Sequence, residues 1–427
     1  MRPTKRLSLI EHLVLQSYWV GLSFMWNSLH IIILPAVLLT FVPETQKNTY
    51  LGILTFFGLI IAMIIQPISG ALSDRWVSRL GRRRPLMLIG TLFDFVFLGL
   101  LAWSGGLLWL AVGYIGLQFS SNIAHGPAQG LQPDLVPAEQ MGTASGFKNI
   151  MDMLGLVVAS LLMGRMVPPD VVHPVTPMLV VMIVLAVFAV ITLAGVRERP
   201  FLKFEKPAAT HPDAVQPAPE IHASRSYWWL IASRFAFLLG IYDIQVFAQY
   251  YVRDVVATPN PVQVTGDLLA VITLGLMAFA MIGGWMGDRL GHTKILVLAG
   301  LVSGVGCLLL YFGRTPSTLL IFGSVLGAGI GLFMTSNWAL ANELAPNDAA
   351  GKFLGFTNLA TAGSGAVARL GGPLIDLLNN RWPGMHWGYT GMFIFGAVCT
   401  LTSIWLLQGV RAVPPAEAWQ ASEAEKA

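Results

Sequence analysis

The sequence predicts an all-α membrane protein of twelve transmembrane helices in two pseudo-symmetric six-helix bundles. Three observations carry that expectation. The 427 residues are 55% hydrophobic and only 11% charged, whereas soluble domains carry about 25% charged residues. The apolar residues fall into runs long enough to cross a bilayer. A short charged loop occurs twice, half a chain apart.

A helix needs about 20 apolar residues to cross the hydrocarbon core. Such runs lie near 11–40, 50–72, 86–104, 107–132, 142–166, 175–195, 226–252, 266–286, 293–313, 317–342, 352–378 and 388–408. The basic start Met1-Arg2-Pro3-Thr4-Lys5-Arg6 precedes a long first run with no small-residue cleavage site after it. It reads as a first transmembrane helix rather than a cleaved signal. One long polar interruption, rich in Pro, Ala and charge, separates the sixth and seventh runs and has the composition of a linker. The expected organisation is a bundle over 1–196, a cytoplasmic linker over 197–226, a second bundle over 227–410 and a cytoplasmic tail over 411–427.

Lysine and arginine set the orientation. With the amino end inside, the inner segments hold Arg2, Lys5, Arg6, Arg75, Arg79, Arg82, Arg83, Arg84, Lys148, Arg197, Arg199, Lys203, Lys206, Arg225, Arg289, Lys294, Lys352, Arg411 and Lys426. The outer segments hold only Lys47, Arg165, Arg253, Arg314 and Arg381. That asymmetry places both termini in the cytoplasm of a multi-pass cell (inner) membrane protein. The net charge of +4 comes from residues beside apolar runs and does not point to nucleic acid. Cys307 and Cys399 both lie inside apolar runs, so no disulfide framework is implied. There is no nucleophile constellation, nucleotide loop or metal cluster. An enzyme is therefore excluded, no cofactor or metal is expected, and the partners are a small solute and membrane lipid around a monomer.

Between the second and third runs the chain reads Gln66-Pro67-Ile68-Ser69-Gly70-Ala71-Leu72-Ser73-Asp74-Arg75, then Gly81-Arg82-Arg83-Arg84-Pro85. A charge at the bilayer centre costs roughly 2.5–3.5 kcal/mol, so this segment must lie at a membrane surface. Its second copy is Gly284-Trp285-Met286-Gly287-Asp288-Arg289-Leu290-Gly291-His292. The halves also share Asp134-Leu135-Val136-Pro137 with Gly146-Phe147-Lys148-Asn149, matched by Glu343-Leu344-Ala345-Pro346 with Gly355-Phe356-Thr357-Asn358. The loop acids and arginines can pair across neighbouring helix ends in one transport state, and opening inward would then break the pairs. Alternatively, the loop serves only as a topology determinant.

Gly70-x-x-x-Asp74-Arg75 followed by Gly81-Arg82-Arg83 resembles the signature loop of the major facilitator superfamily. The longer pattern from Gln66 to Pro85 is similar to that of the sucrose/proton symporters within the glycoside–pentoside–hexuronide group. The resemblance implies the superfamily fold, with a substrate site at the midplane between two halves, and a gating role for Gly70, Asp74, Arg75, Gly81, Arg82, Arg83, Asp288 and Arg289. It is best over the first five helices. Asn122-x-x-His125-Gly126-Pro127-x-Gln129 is similar to the fourth-helix pattern of the sucrose symporters, but Gln118 and Gln129 stand where that family places its acid and arginine. Coupling then falls to other carboxylates, or the protein is a uniporter.

Deep polar residues point to the site. Gln118, Asn122, His125 and Gln129 are spaced 4, 3 and 4 apart, one face of a helix. That face lines a wet cavity or makes helix–helix hydrogen bonds. The first run carries Asn27 and His30, with Trp26 beside them; His30 is either a coupling group or a buried neutral imidazole. In the fifth run Asn149 accompanies Lys148 and Asp152, which are spaced to pair. Asp152 lies about 15 Å along its helix, and a carboxylate at that depth is a candidate proton carrier, with a purely structural pair as the alternative. Asp243, with Gln245 and Gln249 nearby, and Asp94, set among phenylalanines, are the other deep acids. Asn337, Trp338 and Asn358 form the matching polar set of the second half, with Arg369 before Gly371-Gly372-Pro373.

The amides and indoles suit a neutral, hydroxyl-rich solute, so the expected function is sugar or glycoside transport by alternating access, with proton symport. Deep arginines, which an anion would require, are only Arg234 and Arg369, and an anion stays open. A drug or metabolite efflux antiporter is the second reading. It is disfavoured by the fifth-helix segment Gly155-Leu156-Val157-Val158-Ala159-Ser160, which lacks the proline such antiporters carry. A non-transporting sensor or assembly factor is the third.

Overall fold

A computed structural model describes residues 6–198, 200, 225–345 and 350–410. Most of the expected linker, the tail over 411–427 and Arg2, Lys5, Arg199, Lys203, Lys206, Arg411 and Lys426 lie outside the described residues. Among the described residues every regular element is helical. This is what a hydrocarbon solvent demands, because each backbone polar group must find its partner within the chain.

In the first half the spans are α1 (Leu9–Leu38), α2 (Lys47–Asp74), α3 (Arg84–Ala102), α4 (Leu107–Leu135), α5 (Met141–Met166) and α6 (Val175–Gly195). Ser8 and Glu11 close a capping box at the start of α1, their side chains accepting from backbone N–H groups of an otherwise open helix end. Pro35 has no N–H to donate. The turn before it widens to a π-helical stretch, Ser28–Ile33, in which Leu34 N bonds to Leu29 O. Pro85 sits in the first turn of α3, where a missing donor does no harm.

The second half contains α7 (Arg225–Tyr251), α8 (Pro261–Leu290), α9 (His292–Phe312), α10 (Pro316–Leu344), α11 (Ala350–Ala368 continuing as Gly372–Arg381) and α12 (Trp387–Leu406). A single 3-10 turn, Arg369–Gly371, interrupts α11 ahead of Pro373. Eleven helices among the described residues are long and apolar enough to cross a membrane. The twelfth run is this interrupted α11.

Packing repeats between the halves. In the first, α4 lies against α2 and α3, and α1 against α5 and α6; in the second, α10 lies against α8 and α9, and α7 against α11 and α12. The halves meet chiefly along α5 with α8 and α2 with α11. The outer surface exposes large apolar side chains such as Phe57, Val96, Ile183, Met281 and Trp405, the surface a lipid solvent favours.

Close helix approach depends on small residues in a bilayer. At the α3–α4 contact a Cβ on Gly90 would lie 2.7 Å from both Ala124 N and Ser120 O, both backbone atoms that cannot swing away. Gly90→Val is expected to destabilise the first half by about 1–3 kcal/mol, the usual cost of overpacking. Detergent-induced unfolding of the purified protein measures this, and an unchanged midpoint contradicts the contact.

Candidate functional site

Between the halves lies a cavity of about 410 Å³, a size ordinary for organic ligands. On the first-half side α1 contributes Trp26, Asn27 and His30, α2 contributes Thr55, Leu59 and Gln66, and α4 contributes His125 and Gln129. On the other side α7 contributes Tyr242, Gln245 and Val246, and α11 contributes Asn358, Thr361, Gly365 and Arg369. Among the described residues no aspartate or glutamate lines it.

Asn27, His30, His125, Gln129, Gln245 and Asn358 are thus brought together. The other expected ligand residues are not. Gln118 is buried behind His30, donating to Tyr114 Oη at 2.8 Å and lying 3.2 Å from His30 Nε2. Asn122 spends its amide on the Gln118 carbonyl at 2.7 Å. The shared face of α4 is real, but Gln118 and Asn122 spend their amides on neighbouring protein groups and only His125 and Gln129 reach the cavity. Gln249, with its amide nitrogen toward α1, donates to the carbonyls of Ile31 and Ile32 freed by the π turn, at 2.7 and 3.1 Å. Asn337 accepts from Arg234 at 2.8 Å. Asn149 and Trp338 are exposed outside the cavity. Thr55, Leu59 and Tyr242 carried no distinguishing signal in the sequence; their place follows from how α2 and α7 are rotated.

The cavity's polar groups are held in place. His30 stacks on Trp26 with ring centroids 4.9 Å apart, and its Nε2 is 2.8 Å from Tyr114 Oη. Asn27 donates to Ser23 O at 2.8 Å. Gln129 and His125 are joined at 3.1 Å. The edge of Trp19 meets His125, with centroids 5.0 Å apart. The Lys148 ammonium lies 3.9 Å from the Trp19 ring centroid and 2.8 Å from Asp152. Asp152 is thus linked to the cavity wall only indirectly, through Lys148, Trp19 and His125. Asp94 is fully buried between α3 and α4, where Ser120 donates to it at 2.5 Å and its other oxygen has no partner. Asp243 is buried beside Gly371.

One face of the molecule is locked. Lys47 of α2 pairs with Asp254 after α7 at 2.6 Å, and Arg165 of α5 with Asp267 of α8 at 2.9 Å. Asp376 of α11 accepts from Asn48 Nδ2 at 2.8 Å and from Thr49 N and Oγ1, each at 2.7 Å. Tyr250 donates to Pro35 O at 3.0 Å. On the opposite, arginine-rich face no hydrogen bond or ion pair between described residues crosses from half to half. Between described residues, then, bonds join the halves on the first face and none joins them on the second.

This arrangement of two like halves about a central cavity matches a known family. The model of the Major Facilitator Superfamily matches residues 15–368 and 244–426. The chain belongs to the Major Facilitator Superfamily. It is a transporter of multi-pass membrane type and not an enzyme. It is 24% identical over 373 residues to the multi-drug resistance efflux pump PmrA of Streptococcus pneumoniae serotype 4 (strain ATCC BAA-334 / TIGR4), covering 85% of this chain and 86% of that one. It is 29% identical over 112 residues to the sucrose transport protein SUT5 of Oryza sativa subsp. indica, covering 21% of each. The crystal structure of a D-xylose-proton symporter superposes with a TM-score of 0.73 at 17% identity, over 95% of this chain and 99% of that one.

The superfamily's signature loops are visible as two clusters. Gly81, at φ +94°, turns the first loop. Arg83 bridges Asp74 at 2.5 Å and Asp134 at 2.8 Å and reaches Gly70 O at 3.2 Å, while Arg82 also grips Asp134. The Glu198 carboxylate accepts from Arg83 N and Arg84 N, and burial pushes its pKa up, opposed by those two backbone donors. In the second half His292 takes the arginine's place, 3.6 Å from Asp288 and 3.6 Å from Glu343, while Arg289 stacks over Trp285 at 4.4 Å; its first-half counterpart Arg75 is exposed. Every one of these pairs stays inside one half. In this structure the pairs are formed while no hydrogen bond or ion pair between described residues joins the halves on this face.

Asp376→Ala removes the acceptor of three inter-half bonds. Each bond to a charged group is worth about 1.5–3 kcal/mol, so the closed face should open at least roughly tenfold more often. A Thr55→Cys probe in the cavity, labelled from that face with an impermeant thiol reagent, measures this. Unchanged labelling contradicts the lock.

Proposed function

We propose that this chain carries a hydroxyl-rich organic solute of the sugar or glycoside class across the cell membrane by alternating access, with proton coupling at Asp152. The carrying observation is the cavity: amides, imidazoles, an indole and a phenol converge on a space between halves that are bonded together at one face. Amides exchange hydrogen bonds with hydroxyls, and the flat Trp26 ring suits the apolar face of a sugar. The positive-inside bias puts the arginine-rich face and both termini in the cytoplasm, which makes this conformation inward-open. The local likeness to SUT5 supports the sugar reading. Closing the arginine-rich face and parting the other would carry the solute outward-facing, with α2–α11 and α5–α8 as the moving seams.

Asp152 is favoured as proton carrier because a chain of contacts, Lys148 to Trp19 to His125, connects it to the cavity wall. One charge crossing 100 mV is worth about 2.3 kcal/mol, which sustains roughly a 40-fold gradient at 1.4 kcal/mol per tenfold.

Efflux is the second reading, supported by the likeness to PmrA over 85% of this chain. Uptake of a labelled sugar panel into proteoliposomes, with and without a pH gradient and beside ethidium export, separates the two. Asp152→Asn should abolish gradient-driven accumulation and leave counterflow exchange intact. Gln129→Ala and Asn358→Ala should each weaken solute binding about tenfold, one lost hydrogen bond in a desolvated site. Accumulation by the Asp152 variant contradicts the coupling role, and unchanged binding by both alanine variants moves the site elsewhere.

A further inference from the structure

Four cationic side chains are buried among the described residues: Lys47, Arg83, Arg234 and Arg369. Lys47 has Asp254 and Glu44, and Arg83 has Asp74 and Asp134. Arg234 and Arg369 have no carboxylate within ion-pair distance among the described residues. Arg369 lines the cavity and is only 9% exposed. One of its nitrogens donates to the Gly365 carbonyl at 2.6 Å, and its buried Nε has no acceptor. Arg234 stands behind the same wall, donating to Thr361 Oγ1 at 2.9 Å and to Asn337 Oδ1 at 2.8 Å.

A guanidinium does not shed its proton in a protein, and a buried charge is costly unless it is paired. The acids of the spans do not relieve this one. Asp152 is taken by Lys148, Asp94 lies between α3 and α4, and Asp243, beside Gly371, makes no ion pair with Arg369. The cavity wall is therefore positive on its second-half side and uncharged on its first-half side.

We propose that the transported solute carries a carboxylate, and that this carboxylate is the missing counter-ion of Arg369. This rests on the reading of the cavity as the site of a hydroxyl-rich solute and names its charged group. Arginine and a carboxylate match as paired donors and acceptors, while Gln129, Gln245 and Asn358 face the hydroxyls. One cation in the wall suits a monoanion; a phosphate dianion would need a second at hand, and Arg234 is committed to Thr361 and Asn337. A hydroxylated monocarboxylate, such as a sugar acid, is the class that satisfies both walls.

The test uses two pairs of solutes that differ only in carboxylate against hydroxymethyl: glucuronate with glucose, and gluconate with sorbitol. Uptake by the wild-type protein in proteoliposomes should favour each acid at least tenfold in kcat/KM, about 1.4 kcal/mol. Arg369→Gln should erase that preference, and Arg369→Lys should retain part of it. The wild-type preference is decisive even where the variants fail to fold. Equal or better transport of glucose and sorbitol overturns the carboxylate and leaves the sugar reading standing. Preference for glucose 6-phosphate over both acids also overturns it. Export of ethidium with no transport of any of these solutes overturns both readings.

Discussion

The exclusion of unpaired charge from hydrocarbon is the constraint on which this structure depends. It drives the backbone into helices, because nothing in a lipid tail can hydrogen-bond a free N–H or C=O. It also sorts the ionisable side chains. Those of the signature loops gather at one face, those of Lys47, Arg165, Arg253, Asp254 and Asp376 at the other, and the few that remain at depth are buried against protein. Of the deep groups, Arg369 borders the cavity itself.

The same constraint explains why the two faces differ. The locked face joins the halves with carboxylates and cations that would otherwise face water, so it can be parted by re-solvating them. The arginine-rich face keeps its pairs inside each half, with Asp134 gripped by Arg82 and Arg83 in one and Glu343 beside His292 in the other. Each bundle is thereby braced as a unit, which suits a protein whose halves move as bodies around a fixed site. The two bundles differ in the group at that place: the Arg83 guanidinium in one and the His292 imidazole in the other.

The likeness to known proteins settles the family and leaves the cargo to local chemistry. A full-length likeness to an efflux pump and a short one to a sucrose transporter agree on the fold and differ on the solute. Relatives at such identities share helix packing, and packing alone does not name a solute. The cavity wall here presents amides, imidazoles, an indole, a phenol and one arginine.

Composition and periodicity alone determined the twelve apolar runs, the duplication and the loops that must lie at a surface. The run near 175–195 is the observed helix Val175–Gly195, because length and hydropathy are properties of the chain itself. Six of the expected cavity residues were legible the same way, as amides or imidazoles stranded in apolar spans. Tertiary structure alone decided the rest. Gln118 and Asn122 share a face with His125 and Gln129, yet their amides are spent on neighbouring protein groups; Thr55 and Tyr242 carry no signal, yet helix rotation turns them inward. Whether a polar side chain meets a solute or a neighbouring helix depends on what is packed in front of it. Helical spacing records only which way it points.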